Sequence, residues 1–172
     1  MIRKATTSDI EQISTIYEKI HAQQELGHIT TGWVRGVYPT ADTASGAVSA
    51  GDMYVYEADG IVIAAGRINQ EQGKEYARVN WSINAPTERV LVLHTLVVDP
   101  AHTRKGIASA FVSFYEELAK QMNCLCLRMD TNEHNHTART LYHRLGFCER
   151  SIVPCCFNGI EGVRLVCLEK ML

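Results

Sequence analysis

The stretch Val90-Leu91-Val92-Leu93-His94-Thr95-Leu96-Val97-Val98 constrains the fold more than any other part of the chain. It is too rich in β-branched residues to prefer a helix, and its near-continuous apolar character suits a central strand. Asp99-Pro100 breaks the strand. Ile107, Phe111, Phe114, Tyr115 and Leu118 then give one apolar face, predicting a helix from about Lys105 to Met122. Cys124–Met129 reads as a second buried strand. Strand, helix and strand in that order make a parallel unit at the centre of the domain.

Around this unit the other elements fall into place. Ile2–Ala5 is a short strand, and Ser8 with Glu11 has the form of a capping box ahead of a helix from about Asp9 to Ala22. Leu26–Pro39 reads as a glycine-bearing loop with aromatics, and Thr40 caps a second helix that Gly51 ends. Met53–Ala58 and Ile61–Asn69 flank Asp59-Gly60, a pairing suited to a tight hairpin. Gln70–Glu75 reads as polar and exposed, Val79–Ile83 as a short strand, and Ala85–Arg89 as a turn. After the central unit, Asn135–Leu145 is a helix stopped by Gly146, and Phe147–Val153 and Val163–Glu169 are closing strands. The order predicts one α/β (α+β) domain over residues 1–172 on a mostly antiparallel sheet.

Composition narrows the class. Lys plus Arg total 17 against 19 Asp plus Glu, a net charge of -2, which argues against a general nucleic-acid binder. No apolar run is long enough to span a membrane, and the opening Met1-Ile2-Arg3-Lys4 has no signal-peptide character. The six cysteines show no zinc spacing and mostly sit in apolar runs, so structural thiols, a metal-free protein and a cytoplasmic location are expected.

Chemistry concentrates where the central strand meets its helix. The first amides of a helix are unpaired and the aligned peptide dipoles make that end positive, so Thr103-Arg104-Lys105-Gly106-Ile107-Ala108 is a candidate phosphate site. It is neither a Walker loop nor G-x-G-x-x-G, and one glycine in one turn suits a pyrophosphate better than a metal-bound triphosphate. Many strand-to-helix turns carry a glycine and a basic residue for geometry alone. The loop by itself therefore supports only an anion site.

Further along, Asn135-His136-Thr137-Ala138-Arg139-Thr140-Leu141-Tyr142 leads to Leu145-Gly146-Phe147. Together with Val98-Asp99-Pro100 and the loop, this resembles the GCN5-related N-acetyltransferase (GNAT) family. That family has Q/R-x-x-G-x-G/A after a strand ending in V-x-P, then N-x-x-A-x-x-L-Y-x-x-x-G-F. The resemblance covers nearly the whole chain and departs from the pattern at Thr103, where Gln or Arg is usual. It implies a sheet of six or seven strands splayed into a V between the fourth and fifth, with about four flanking helices. It implies acetyl-CoA as cofactor and acyl donor. Leu96, Val97 and Val98 would pair with the pantetheine arm, the amides of Arg104, Lys105, Gly106, Ile107, Ala108 and Ser109 would hold the pyrophosphate, and Asn135 would reach the arm. Asn135 is equally explained as a helix cap.

Tyr142 falls on the family's general acid; a phenol with a pKa near 10 is protonated at neutral pH and can supply a thiolate. In isolation it reads as part of an apolar helical stripe. His94 is a candidate base, since imidazole titrates in the useful range, although it also fits a core histidine. Asp130 and a water chain are the alternatives. His134, His136 and Glu133 read as a solvated loop rather than a metal cluster. For the acceptor, Trp33 and Tyr38 offer an aromatic wall, and Glu71, Glu75 and Tyr76 a source of negative charge. The Ile152–Gly159 stretch would complete the pocket or pair with a second subunit, since homodimers are common among relatives. The expected substrate is a primary amine of a small molecule or peptide. The alternatives are a non-catalytic acyl-CoA-binding or regulatory domain and an unrelated phosphate-binding module.

Overall fold

β1 (Ile2–Lys4) leads into α1 (Ile10–Glu25) through a single turn of tighter helix. The cap forms at Thr6 and Asp9 rather than at Ser8 and Glu11: the Asp9 carboxylate accepts from the Thr6 amide at 2.7 Å. Asp9 is fixed there by a two-pronged bond from Arg3 on the strand, at 2.8 and 2.9 Å, which Glu11 has no means to match. The computed structural model describes residues 1–172. α2 (Ala41–Ser49) starts at Thr40, whose hydroxyl accepts from the Thr43 amide. β2 (Met53–Ala58), β3 (Ile61–Asn69) and β4 (Val90–Val98) follow, then α3 (Ile107–Gln121), β5 (Cys126–Asn132), α4 (His136–Arg144), β6 (Cys148–Phe157) and β7 (Ile160–Met171).

The seven strands form one sheet in the order β1-β2-β3-β4-β5-β7-β6, antiparallel except for the parallel pair β4–β5. One face carries α3 and α4 over Leu91, Leu93, Leu127, Met129, Val166 and Leu168. The other face is shared by α1 with α2 and by the segment Gln70–Arg89, which covers Val90, Val92, Cys126 and Leu165. The closing hairpin is longer than its sequence suggests, because Asn158 (φ 49°) and Gly159 (φ 83°) form a tight turn that carries both strands past Val153 and before Val163.

The central strand is interrupted where the sequence shows only an apolar run. Arg67 pairs with His94 and Ala65 with Val97, so β4 carries one extra residue there, and Thr95 takes a φ of 51°. Such a bulge shifts the side-chain alternation by one position. Leu91 and Leu93 pack under α3, yet Val97 packs on the opposite face with α1 and α2, while Leu96 and Val98 return to the α3 side. Pairing of β4 with β5 ends at Leu93 and Met129, although both strands run on, so the sheet opens into a V. The buried Tyr115 hydroxyl lies 2.6 Å from the Leu91 carbonyl and 2.9 Å from that of Arg128, bracing the two strands where they still touch.

Val79–Ile83 is not a strand, and Gln70–Glu75 is not wholly exposed: Glu75 and Tyr76 are buried. The reason lies in Arg128 of β5. It is 4% exposed, pairs with the fully buried Glu169 of β7 at 3.1 Å, stacks 4.1 Å from the Trp81 ring, and donates to Gln72 and the Ile83 carbonyl. These bonds draw the segment onto the sheet as a folded strap.

Candidate active site

The V opens onto a cavity of about 910 Å³. One wall is β4 beyond its last contact with β5. Here His94, Thr95 and Leu96 line the cavity, and the strand edge facing β5 has no partner. Opposite stand Asp130, Thr131 and Asn132 at the end of β5, with Asn135, Ala138 and Tyr142 of the following turn and helix. The loop before α2 crosses the mouth: the Thr30 hydroxyl donates to the His134 carbonyl at 2.6 Å, and Gly32 lies against the Asn132 amide so closely that a Cβ would overlap it.

The predicted phosphate loop lies outside this cavity, on the adjoining surface. Its shape still fits an anion. Arg104 (φ 62°) and Gly106 (φ 78°) are both left-handed, a conformation that turns successive amides toward one side. No amide from Arg104 to Ser109 donates within the chain, and Gly106 caps α3 without any side-chain cap. A Cβ on Gly106 would meet nothing within 4 Å, and Arg104, Lys105 and Gly106 are all exposed. The nearby Asp99 carboxylate would repel a phosphate, but Lys19 holds it at 2.6 Å and the Ala101 amide at 2.9 Å. Burial alone would raise the Asp99 pKa; these two donors outweigh it and hold it low.

Of the residues singled out from sequence, Tyr142, His94, Leu96, Asn135, Trp33 and Tyr38 all line the one cavity. Val97 and Val98 contribute main chain, their side chains being turned into the two cores. Asn135 does cap α4, accepting from the Ala138 amide at 3.3 Å, while its amide donates to Thr131 at 3.2 Å. Tyr142 is 8% exposed and its hydroxyl has no partner within the chain, leaving it free toward the cavity. Burial, and then the charge of Asp130, push its pKa up to about 12, so it is a proton donor at neutral pH.

The two basic candidates differ. Burial and then Arg67 push His94 down to about 4. Its Nε2 donates to Asn69 Oδ1 at 3.0 Å, an orientation fixed because the Asn69 amide nitrogen donates to Asp52 and its oxygen accepts from the Glu71 amide. Asp130 moves the other way: burial raises it to about 6, against the pull of a 2.9 Å bond from the Tyr76 hydroxyl. Glu71 is turned outward to Arg67 at 2.7 Å.

Sequence reasoning did not single out Thr95 or Tyr17 for the cavity. Thr95 bonds the Tyr38 hydroxyl, and Tyr38 packs edge-on between Trp33 (6.0 Å) and Phe157 (5.8 Å). Phe157 comes from the β6–β7 hairpin, so the apolar tail does complete the pocket. A β-branched residue with positive φ is costly, and the bulge that demands it leaves no mark in a run of apolar letters.

A seven-stranded sheet parted between its fourth and fifth strands, with a turn of unpaired amides beside the gap, is the architecture expected of the acetyltransferase class of α/β domains. The model of the Acetyltransferase (GNAT) family matches residues 17–147, and the chain belongs to that family. An uncharacterized N-acetyltransferase of Bacillus subtilis, YhfO, is 33% identical over 72 residues, which are 41% of this chain and 48% of that protein. The match thus spans about half the length of that curated relative. A GNAT-family acetyltransferase structure from Streptococcus agalactiae superimposes with a TM-score of 0.81 at 22% identity, covering 100% of this chain and 95% of that one. The acetyltransferase yncA of Salmonella typhimurium, solved with its cofactor acetyl-CoA, gives 0.69 at 18% identity over 100% and 93%. At these identities the structures establish the shared fold. No helix is long and apolar enough to cross a membrane.

Proposed function

We propose that the chain is a single-domain acetyltransferase that moves an acetyl group from acetyl-CoA directly to a primary amine of a small molecule or peptide. The observation that carries this reading is the pairing of two features across the V. One is a turn of unsatisfied amides from Arg104 to Ser109, and the other is a protonated, partnerless Tyr142 hydroxyl facing the cavity.

Acetyl-CoA would supply the activated acyl group as a thioester. The amides of Arg104–Ser109 are the groups suited to its pyrophosphate, with Arg104 and Lys105 adding positive charge at the rim. The open edge of Leu96–Val98 is suited to main-chain bonds with the pantetheine arm, and Asn135 stands across from it. Asp130 takes the proton from the attacking amine: as the more basic of the two candidates, about 6 against about 4 for His94, it is the better acceptor at neutral pH. His94 then orients the site through Asn69. Tyr142 donates a proton to the departing sulfur. The C–N bond forms, the C–S bond breaks, and one proton leaves the nitrogen while another reaches the thiolate.

A thiol-release assay with acetyl-CoA over a panel of amines tests this. Amine-dependent release that Tyr142→Phe abolishes, with coenzyme binding kept, supports it. Coenzyme binding with no release on any amine would point instead to a non-catalytic acyl-CoA-binding domain.

A further inference from the structure

Glu75 is 7% exposed and lines the cavity, yet its carboxylate takes part in no hydrogen bond and no ion pair. The strap pinned by Arg128 delivers it there, next to Tyr76, whose hydroxyl donates to Asp130. Asp130 has no cation partner either. Glu75 and Asp130 thus share one cavity, with the exposed Asp42 also on its lining, and buried negative charge is costly unless a cation compensates it.

The chain does not supply that cation. Arg67 lines the cavity but is held by Asp52 at 3.2 Å and Glu71 at 2.7 Å. Lys74 stands at the exposed rim without an ion pair to Glu75. His94, at about 4, is uncharged at neutral pH. Independently, the Tyr17 hydroxyl lines the same cavity with no partner although the residue is 1% exposed. Facing these polar groups is the wall of Trp33, Tyr38 and Phe157, which suits an alkyl stem bearing positive charge.

The geometry points to an acceptor that carries a second positive charge, an aliphatic diamine or polyamine whose remote ammonium is held by Glu75 while its reacting nitrogen lies at Asp130. This rests on the acetyl-transfer reading above and narrows its substrate. The alkyl stem packs on the aromatic wall, and Tyr17 supplies one more polar contact at the floor.

Three acceptors of matched length test it: 1,4-diaminobutane, 1-aminobutane and 4-aminobutanoate, each with saturating acetyl-CoA and the intact chain. The diamine should show a kcat/KM about tenfold or more above the monoamine, about 1.4 kcal/mol, with the zwitterion lowest. In Glu75→Gln the ratio of diamine to monoamine should fall to within about twofold of one, as loss of a tenfold charge preference requires. Equal kcat/KM for diamine and monoamine in the wild type overturns the inference, and so does a ratio that Glu75→Gln leaves unchanged. The wild-type comparison stands even where the variant misfolds. Calorimetric titration of 1,4-diaminobutane into the CoA-bound protein covers the case of slow turnover, and absence of binding there also overturns it. Failure of the broader reading has its own signatures, the absence of acetyl-CoA binding or of thiol release on any amine. Thiol release without charge preference sinks this inference alone.

Discussion

The two sides of the V are built from different materials. On the proposed coenzyme side the available groups are backbone: the amides of Arg104–Ser109 and the unpaired edge of Leu96–Val98. On the proposed acceptor side they are side chains brought from distant parts of the chain: Trp33 and Tyr38 before α2, Glu75 and Tyr76 on the strap, Asp130 on β5, and Phe157 on the closing hairpin. A backbone site depends on local conformation and should tolerate a change of letter such as Thr103 in place of Gln or Arg. A side-chain site depends on long-range packing, and each letter carries specificity. Substitutions on the two sides should therefore differ in kind.

The largest effect expected is on the chemical step. Tyr142→Phe should lower kcat by on the order of 10²–10⁴-fold, the usual contribution of a placed general acid, while the coenzyme affinity read by calorimetry stays close to that of the wild type. An unchanged kcat would remove Tyr142 from the proton path.

Asp130→Asn comes next and has two readouts. With Asp130 as base, kcat/KM of the wild type falls on the acid side through a limb near pH 6, and that limb disappears in the variant. The stability effect has the opposite sign. The folded pKa of about 6 lies above the ordinary 3.8, so the protonated form is favoured by folding. That stabilisation is complete below about pH 4 and is lost as pH rises through 6. Asn removes the charge, so the variant should be more stable than wild type by about 1–2 kcal/mol at pH 7.5, discounted for partial exposure, with the gap closing toward pH 4. Melting curves at the two pH values check it; a variant less stable at pH 7.5 contradicts the burial argument.

On the coenzyme side the effects are smaller and act through the main chain. Gly106→Ala forces a Cβ into a φ of 78°, with no neighbour to clash, so the expected cost is about 1–2 kcal/mol of backbone strain in thermal unfolding. Arg104→Ala should be the mildest. Its guanidinium is an exposed rim charge, worth about 0.2–1 kcal/mol, so KM for acetyl-CoA should rise no more than about fivefold, and less at high salt. A KM rise well beyond about fivefold would mean that side-chain charge, not the amides, holds the phosphate.

The same contrast explains what was legible in the sequence. β2, β3 and β4 have the bounds their letters suggest, because alternation, Asp59-Gly60 and Asp99-Pro100 are local signals. The turn from strand to helix before Ile107 was legible for the same reason. The bulge at Thr95 was not, since pairing of Ala65 with Val97 is a decision of two strands and leaves no trace in either alone. Burial of Glu75 was hidden for a similar cause: a polar segment was drawn inward by Arg128 of β5, and only the stacked Trp81 hinted at a partner. Asp130 and Tyr142 could be named singly, but their shared cavity could not.

The central claim is that the backbone turn beside the V is a coenzyme A site. Calorimetric titration of the wild-type chain with acetyl-CoA, against ATP at equal concentration, tests it most directly. One acetyl-CoA should bind per chain, and at 100 times its Kd should add about 2.7 kcal/mol of stability, with ATP adding far less. Equal binding of both, or of neither, would contradict the account.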